Sequence, residues 1–187
     1  MRILLVDNNT KHIEDIKKLC SKYEVIVKRW NEITSREYED FDLIVLSGGT
    51  GMAIENHEQD LATEMELIRR SDKPIIGVCL GFELICHVYG SKMEKEDVRE
   101  KGIIEIDVLL PDPVFVGREK LRVYMAHKWH VKDVGPELTI LASSHKGIDA
   151  VKHKTRPMYG FQFHPEILEE ANNGAEVFNK CLDILTS

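Results

Sequence analysis

The chain has 187 residues, 43% of them hydrophobic, which suits one soluble domain with a sizeable core and no fibrous or disordered class. A formal net charge of −7, with basic residues scattered along the sequence, excludes nucleic acid as a main partner, because phosphate binding needs a concentrated positive surface. Cys20, Cys79, Cys86 and Cys181 are widely spaced and form no C-x-x-C pair, so neither a disulfide framework nor a zinc site is expected, and a reducing cytoplasm is the expected compartment.

Met1 to Asp7 is a short apolar run ended by polar residues, too brief for a signal peptide or a membrane span, and it predicts a first buried strand over Ile3 to Val6. A helix is expected from near Thr10 to Tyr23, where Ile13, Ile16, Lys17 and Cys20 recur at three- and four-residue spacing. Strands follow at Glu24 to Lys28 and Asp42 to Leu46, then a helix over roughly Glu58 to Arg70 and a strand entered at Pro74. The Glu94 to Lys101 charge run is expected to be a solvated loop. Beyond it, Gly102 to Leu110, Leu121 to Ala126, Leu138 to Ala142, Gly147 to Val151 and Met158 to Phe163 are strand-like with short turns, and Gly174 to Leu185 is a closing helix. Strands alternating with helices predict an α/β class, a central mostly parallel sheet flanked by helices, with an antiparallel extension in the second half. No repeat or linker divides residues 1–187, so one domain is expected.

Two segments carry chemistry. Gly77-Val78-Cys79-Leu80-Gly81 lies between an apolar strand and an apolar-rich helical stretch. Glycines two before and two after a nucleophile allow the strained turn of a nucleophile elbow, which would place Cys79 on a helix N-terminus, where the helix dipole favours a thiolate. The second is Phe161-Gln162-Phe163-His164-Pro165-Glu166. In an extended segment residues two apart point the same way, so Glu166 can orient the His164 imidazole as a general base. Ser47-Gly48-Gly49-Thr50-Gly51, after the third strand, is a glycine loop able to turn backbone N–H groups toward a ligand.

These three blocks, in this order and spacing, resemble the class I (triad) glutamine amidotransferases over essentially the whole chain. Tyr124 to Lys128 and Ala150 to Gly160 are most similar to the separate amidotransferase subunit of GMP synthetases. The resemblance implies a flavodoxin-like fold, a Cys79, His164 and Glu166 triad, an oxyanion hole from the backbone of Gly49 and Leu80, and glutamine cleaved to glutamate and ammonia through a thioester. It implies no cofactor and no metal. No synthetase module is recognisable in the sequence, so ammonia would pass to a partner synthetase subunit; no membrane partner is expected. Gly48, Glu83, His127 and Trp129 fall at positions implied to hold substrate. Two depart from the family pattern: Glu83 stands where the family carries a glutamine, and Trp129 where the GMP synthetase-like subunits carry an aspartate for the substrate α-ammonium. Glu83 is expected to take over that anchor. A stand-alone hydrolase of another γ-glutamyl compound and a non-catalytic module of the same fold stay open as alternatives.

Overall fold

In the computed structural model, which describes residues 1–187, the strands of the first half are apolar at successive positions because both their faces are covered. Along β1 (Arg2–Asn8), β3 (Leu43–Gly49) and β4 (Ile75–Val78), side chains alternate between two cores. Ile3, Leu5, Val45 and Val78 pack with α1 (Ile13–Leu19) and α5 (Gly174–Leu185) on one face. Leu4, Val6, Ile44 and Leu46 pack with α3 (Ala62–Arg70) and α4 (Leu80–Val88) on the other. Each such fully buried side chain contributes about 1.5–3 kcal/mol, so both layers are held firmly against the strands that end in the site. A short helix, α2 (Ile54–His57), precedes α3; the expected helices over Thr10 to Tyr23 and Glu58 to Arg70 are therefore shorter than read from spacing.

β1 pairs in parallel with β2 (Glu24–Arg29) and β3, β3 with β4, and β4 with β9 (Met158–Phe161). The resulting order, β2-β1-β3-β4-β9, is that of a flavodoxin-like doubly wound sheet. From β9 onward every pairing is antiparallel: β8 (Ile148–His153), β6 (Lys120–Asp133), β5 (Lys92–Val108) and β7 (Leu138–Ser143) follow in turn, and β7 returns to β8. These four strands close into a small barrel-like ring.

The expectation of a mostly parallel sheet is thus corrected, since antiparallel pairings outnumber parallel ones, five to four. The cause lies in the connections: no crossover helix separates β5 to β9, and without one a strand can return only antiparallel. The expected solvated loop at Glu94 to Lys101 is also corrected, for it lies inside β5. Its mostly exposed charges do not prevent pairing through the backbone, but the register slips between Lys95 and Glu100, a bulge that turns Glu100 inward. No helix is long and apolar enough to cross a membrane.

Candidate active site

The site forms where β3, β4 and β9 end at their carboxyl edges, the usual ligand crevice of an open α/β sheet. Cys79 bridges β4 and α4 with φ 50° and ψ −103°, a conformation that costs a non-glycine residue about 1–3 kcal/mol and persists only when its surroundings impose it. The neighbouring glycines are part of that imposition. A Cβ on Gly77 would stand 2.5 Å from the Gly81 carbonyl oxygen, and one on Gly81 would stand 2.4 Å from that of Leu46. The turn closes only without them.

His164 follows β9, its backbone N–H donating to the Tyr124 carbonyl at 2.9 Å. Its Nδ1 lies 2.8 Å from Glu166 Oε1, so Nδ1–H donates to the buried carboxylate and Nε2 is left without a partner in the protein. Burial pulls the imidazolium down, but the charges of Cys79 and Glu166 outweigh it and raise His164 well above the ordinary histidine value. Gly48 lies between the two reactive groups: a Cβ there would be 3.3 Å from His164 Cε1 and 3.4 Å from Cys79 Cβ. The structure therefore brings Cys79, His164 and Glu166 together around Gly48.

Gly49 and Leu80 pack on one another and line the same open cleft, which holds about 690 Å³ and also exposes Cys79, His164, Glu83 and Trp129. As first residue of α4, Leu80 has no intrahelical acceptor for its N–H. Glu83, one turn further on, is buried and accepts a hydrogen bond from Gln162 Nε2 at 3.1 Å, while burial raises its carboxyl to about 7. Gln162, which sequence reasoning left without a role although it lies in the histidine block, also places Nε2 3.9 Å from Cys79 Sγ. A second cavity of about 240 Å³, with Glu55 and Glu58 in its wall, adjoins the cleft, and Glu83 and Trp129 line both. His127 also reaches the cleft, its Nδ1 lying 2.7 Å from the Trp129 carbonyl oxygen.

With this geometry in place, the comparisons with known proteins are specific. The family model for class-I glutamine amidotransferases matches residues 4–184. The glutamine-hydrolysing subunit of GMP synthase from Methanothermobacter thermautotrophicus is 33% identical over 159 residues, covering 84% of this chain and 80% of its own. The same subunit from Methanobrevibacter smithii is 28% identical over 187 residues, covering 98% and 96%. Among solved structures, a protein described as a GMP synthase subunit from Thermoplasma acidophilum superposes with a TM-score of 0.89 at 26% identity, covering 100% of this chain and 94% of that one. A glutamine amidotransferase from Thermotoga maritima, at 19% identity and a TM-score of 0.81, covers 100% and 98% and shares the fold.

Proposed function

Because the chain belongs to the class I glutamine amidotransferase family, we propose that it hydrolyses the side-chain amide of glutamine and passes the ammonia to a synthetase partner, as the amidotransferase component of a two-chain GMP synthase. The observation that carries this reading is the strained Cys79 at the helix N-terminus, facing across Gly48 a histidine whose far nitrogen is tied to Glu166.

The chemistry follows from those groups. The Cys79 thiolate forms a bond to the amide carbon, and the carbonyl electrons move to oxygen. Backbone N–H groups of Leu80 and Gly49 donate to that oxyanion, each such donor being worth about 3 kcal/mol of barrier. His164, protonated on Nε2, gives this proton to the amide nitrogen as the C–N bond breaks and ammonia leaves. The now neutral Nε2 takes a proton from water as it adds to the thioester; the C–S bond then breaks, releasing glutamate and restoring the thiolate. Glu166 touches none of the reacting atoms and acts as a positioning residue for His164. Glu83, in the cleft wall, supplies the carboxylate for the substrate α-ammonium that Trp129 cannot supply. Residues 1–187 act as one unit in the cytoplasm.

The test is ammonia release from glutamine, alone and with the synthetase component of a GMP synthase, by wild type and Cys79→Ala. Release by wild type alone or in the pair, lost in Cys79→Ala, is expected; no release in either arm overturns the proposal. One observation favours a second substrate class in that event: the cavity beyond Glu83 and Trp129 leaves room for a substituent on the amide of a γ-glutamyl compound.

A further inference from the structure

Inside the small ring, three buried side chains point their free atoms at one another. Glu100 comes from β5, and His127 and His130 from β6; one ligand atom from each lies within 4.8 Å of the others. Residues three apart in a regular strand face opposite ways, yet the two imidazole rings are 4.7 Å apart, because this segment of β6 bends opposite the slip in β5. The side chains are only 2%, 4% and 1% exposed for His127, Glu100 and His130.

Their hydrogen bonding does not close. His127 Nδ1 is 2.7 Å from the Trp129 carbonyl, which fixes Nδ1–H as the donor and leaves a lone pair on Nε2. That lone pair faces Glu100 Oε2 at 3.4 Å, and neither atom has a hydrogen-bond partner; nor does His130 Nε2. Three acceptors converge with no donor between them, an arrangement that costs about 1–3 kcal/mol per unmet group unless a cation supplies the charge. We propose that Glu100, His127 and His130 bind one divalent transition-metal ion of the zinc class.

The chemistry of the donors fits. Two imidazoles and one carboxylate are a common zinc set, with the fourth position open to water or a further ligand. Burial keeps both histidines neutral, the form that ligates, with His127 lowered to about 4 and His130 also lowered. Bonds of about 2.0–2.2 Å require the three atoms to draw together by roughly an ångström, a shift the side chains can supply. Outside them Lys146 Nζ lies 3.9 Å from Glu100 Oε1 and 2.8 Å from Glu96 Oε2, and Glu96 Oε2 lies 3.7 Å from His130 Nε2. The buried Asp149 carboxyl, on β8 in the same ring, leaves Oδ2 unpartnered and feels the Glu100 charge. The ion ties β5 to β6 behind the cleft wall that His127 and Trp129 form, so it acts on the shape of that wall and on stability, whatever the substrate is.

The test titrates chelator-treated, full-length protein with ZnCl2 by calorimetry and with CoCl2 by visible absorption, and follows the melting temperature. Expected are one equivalent of either metal, a cobalt spectrum without a thiolate charge-transfer band, and a higher Tm with zinc. His130→Ala and Glu100→Gln, shown to be folded by circular dichroism, should weaken binding at least tenfold, while Cys79→Ala should bind as wild type does. Should a variant fail to fold, the wild-type cobalt spectrum decides. The proposal is overturned if wild type takes up neither metal at micromolar concentration, or if uptake survives His130→Ala and vanishes in Cys79→Ala, which would place the ion on the catalytic thiolate.

Discussion

At the scale of the residue, four cysteines share one chain and only one sits in the cleft. Cys20, Cys86 and Cys181 are buried where desolvation pushes the thiol up, to about 12 for Cys20 and well above its ordinary value for the other two. A glutamine-like electrophile should therefore modify Cys79 first, by a wide margin in brief labelling read by peptide mass mapping; preferential labelling of any other cysteine would remove Cys79 as nucleophile. Glu83 gives a second prediction. If its carboxylate holds the α-ammonium, Glu83→Gln should raise KM for glutamine about ten- to a hundredfold, the worth of a charged hydrogen bond of roughly 1.5–3 kcal/mol, with a smaller change in kcat. Because burial raises Glu83 to about 7, the charged fraction grows as pH rises through that value. Wild-type KM should fall from about pH 6 to about pH 8, and the variant's should not. An unchanged KM in Glu83→Gln would show that the anchor lies elsewhere.

At the scale of the element, the turn around Cys79 was legible because its demands are local: two glycines at fixed offsets and an apolar run on each side announce a strained strand-to-helix corner wherever the chain goes afterwards. A third prediction follows from that corner. Gly81→Ala forces a methyl group against the Leu46 backbone, which cannot yield as a side-chain tip can, and should destabilise the protein by about 1–3 kcal/mol or more and abolish glutaminase activity. Gly48→Ala meets only ordinary close contacts and should fold, with kcat reduced because the methyl lies between Cys79 and His164; thermal melts beside steady-state kinetics separate the two variants. The pairing of His164 with Glu166 was legible for the same local reason. The β5 bulge was not, since a run such as Glu94 to Lys101 carries no apolar alternation, and its strand character comes from backbone pairing with β6. Nor was the cluster of Glu100, His127 and His130, which needs the bulge to exist and contains none of the cysteines whose spacing marks a zinc site in a sequence. The parallel half of the sheet could be read from doubly buried apolar runs, whereas the closure of β7 onto β8 is a tertiary choice that leaves no periodic mark.

At the scale of the whole molecule, the site rests on a buried polar network that links its chemistry to the stability of the fold. Asn8, at the end of β1, donates from its backbone to Ser47 Oγ at 2.9 Å and from Nδ2 to the Ser47 carbonyl at 3.1 Å and to Glu64 Oε1 at 3.0 Å, while Ser47 Oγ donates to the Gly48 carbonyl at 2.9 Å. This network holds the Gly48-Gly49 loop from beneath. Glu64 is fully buried on α3 with no cation among the causes of its shift, so desolvation raises it from 4.5 to about 7. A carboxyl raised in the folded state binds its proton more tightly there than in the unfolded chain; its contribution is complete below about pH 4.5 and is lost as pH rises through about 7. At roughly 1.4 kcal/mol per unit, the loss from this one group is up to about 3 kcal/mol. Glu64→Gln keeps the Oε1 that accepts from Asn8 and cannot ionise, so urea unfolding should show a flatter fall in stability between about pH 5 and about pH 8 than wild type, and a more stable variant at the upper end. Glu83 adds a similar slope to both proteins, and the difference between them isolates Glu64. If the two slopes coincide, Glu64 is ionised in the native state at neutral pH, and the loop that faces Cys79 and His164 is supported by a buried charge.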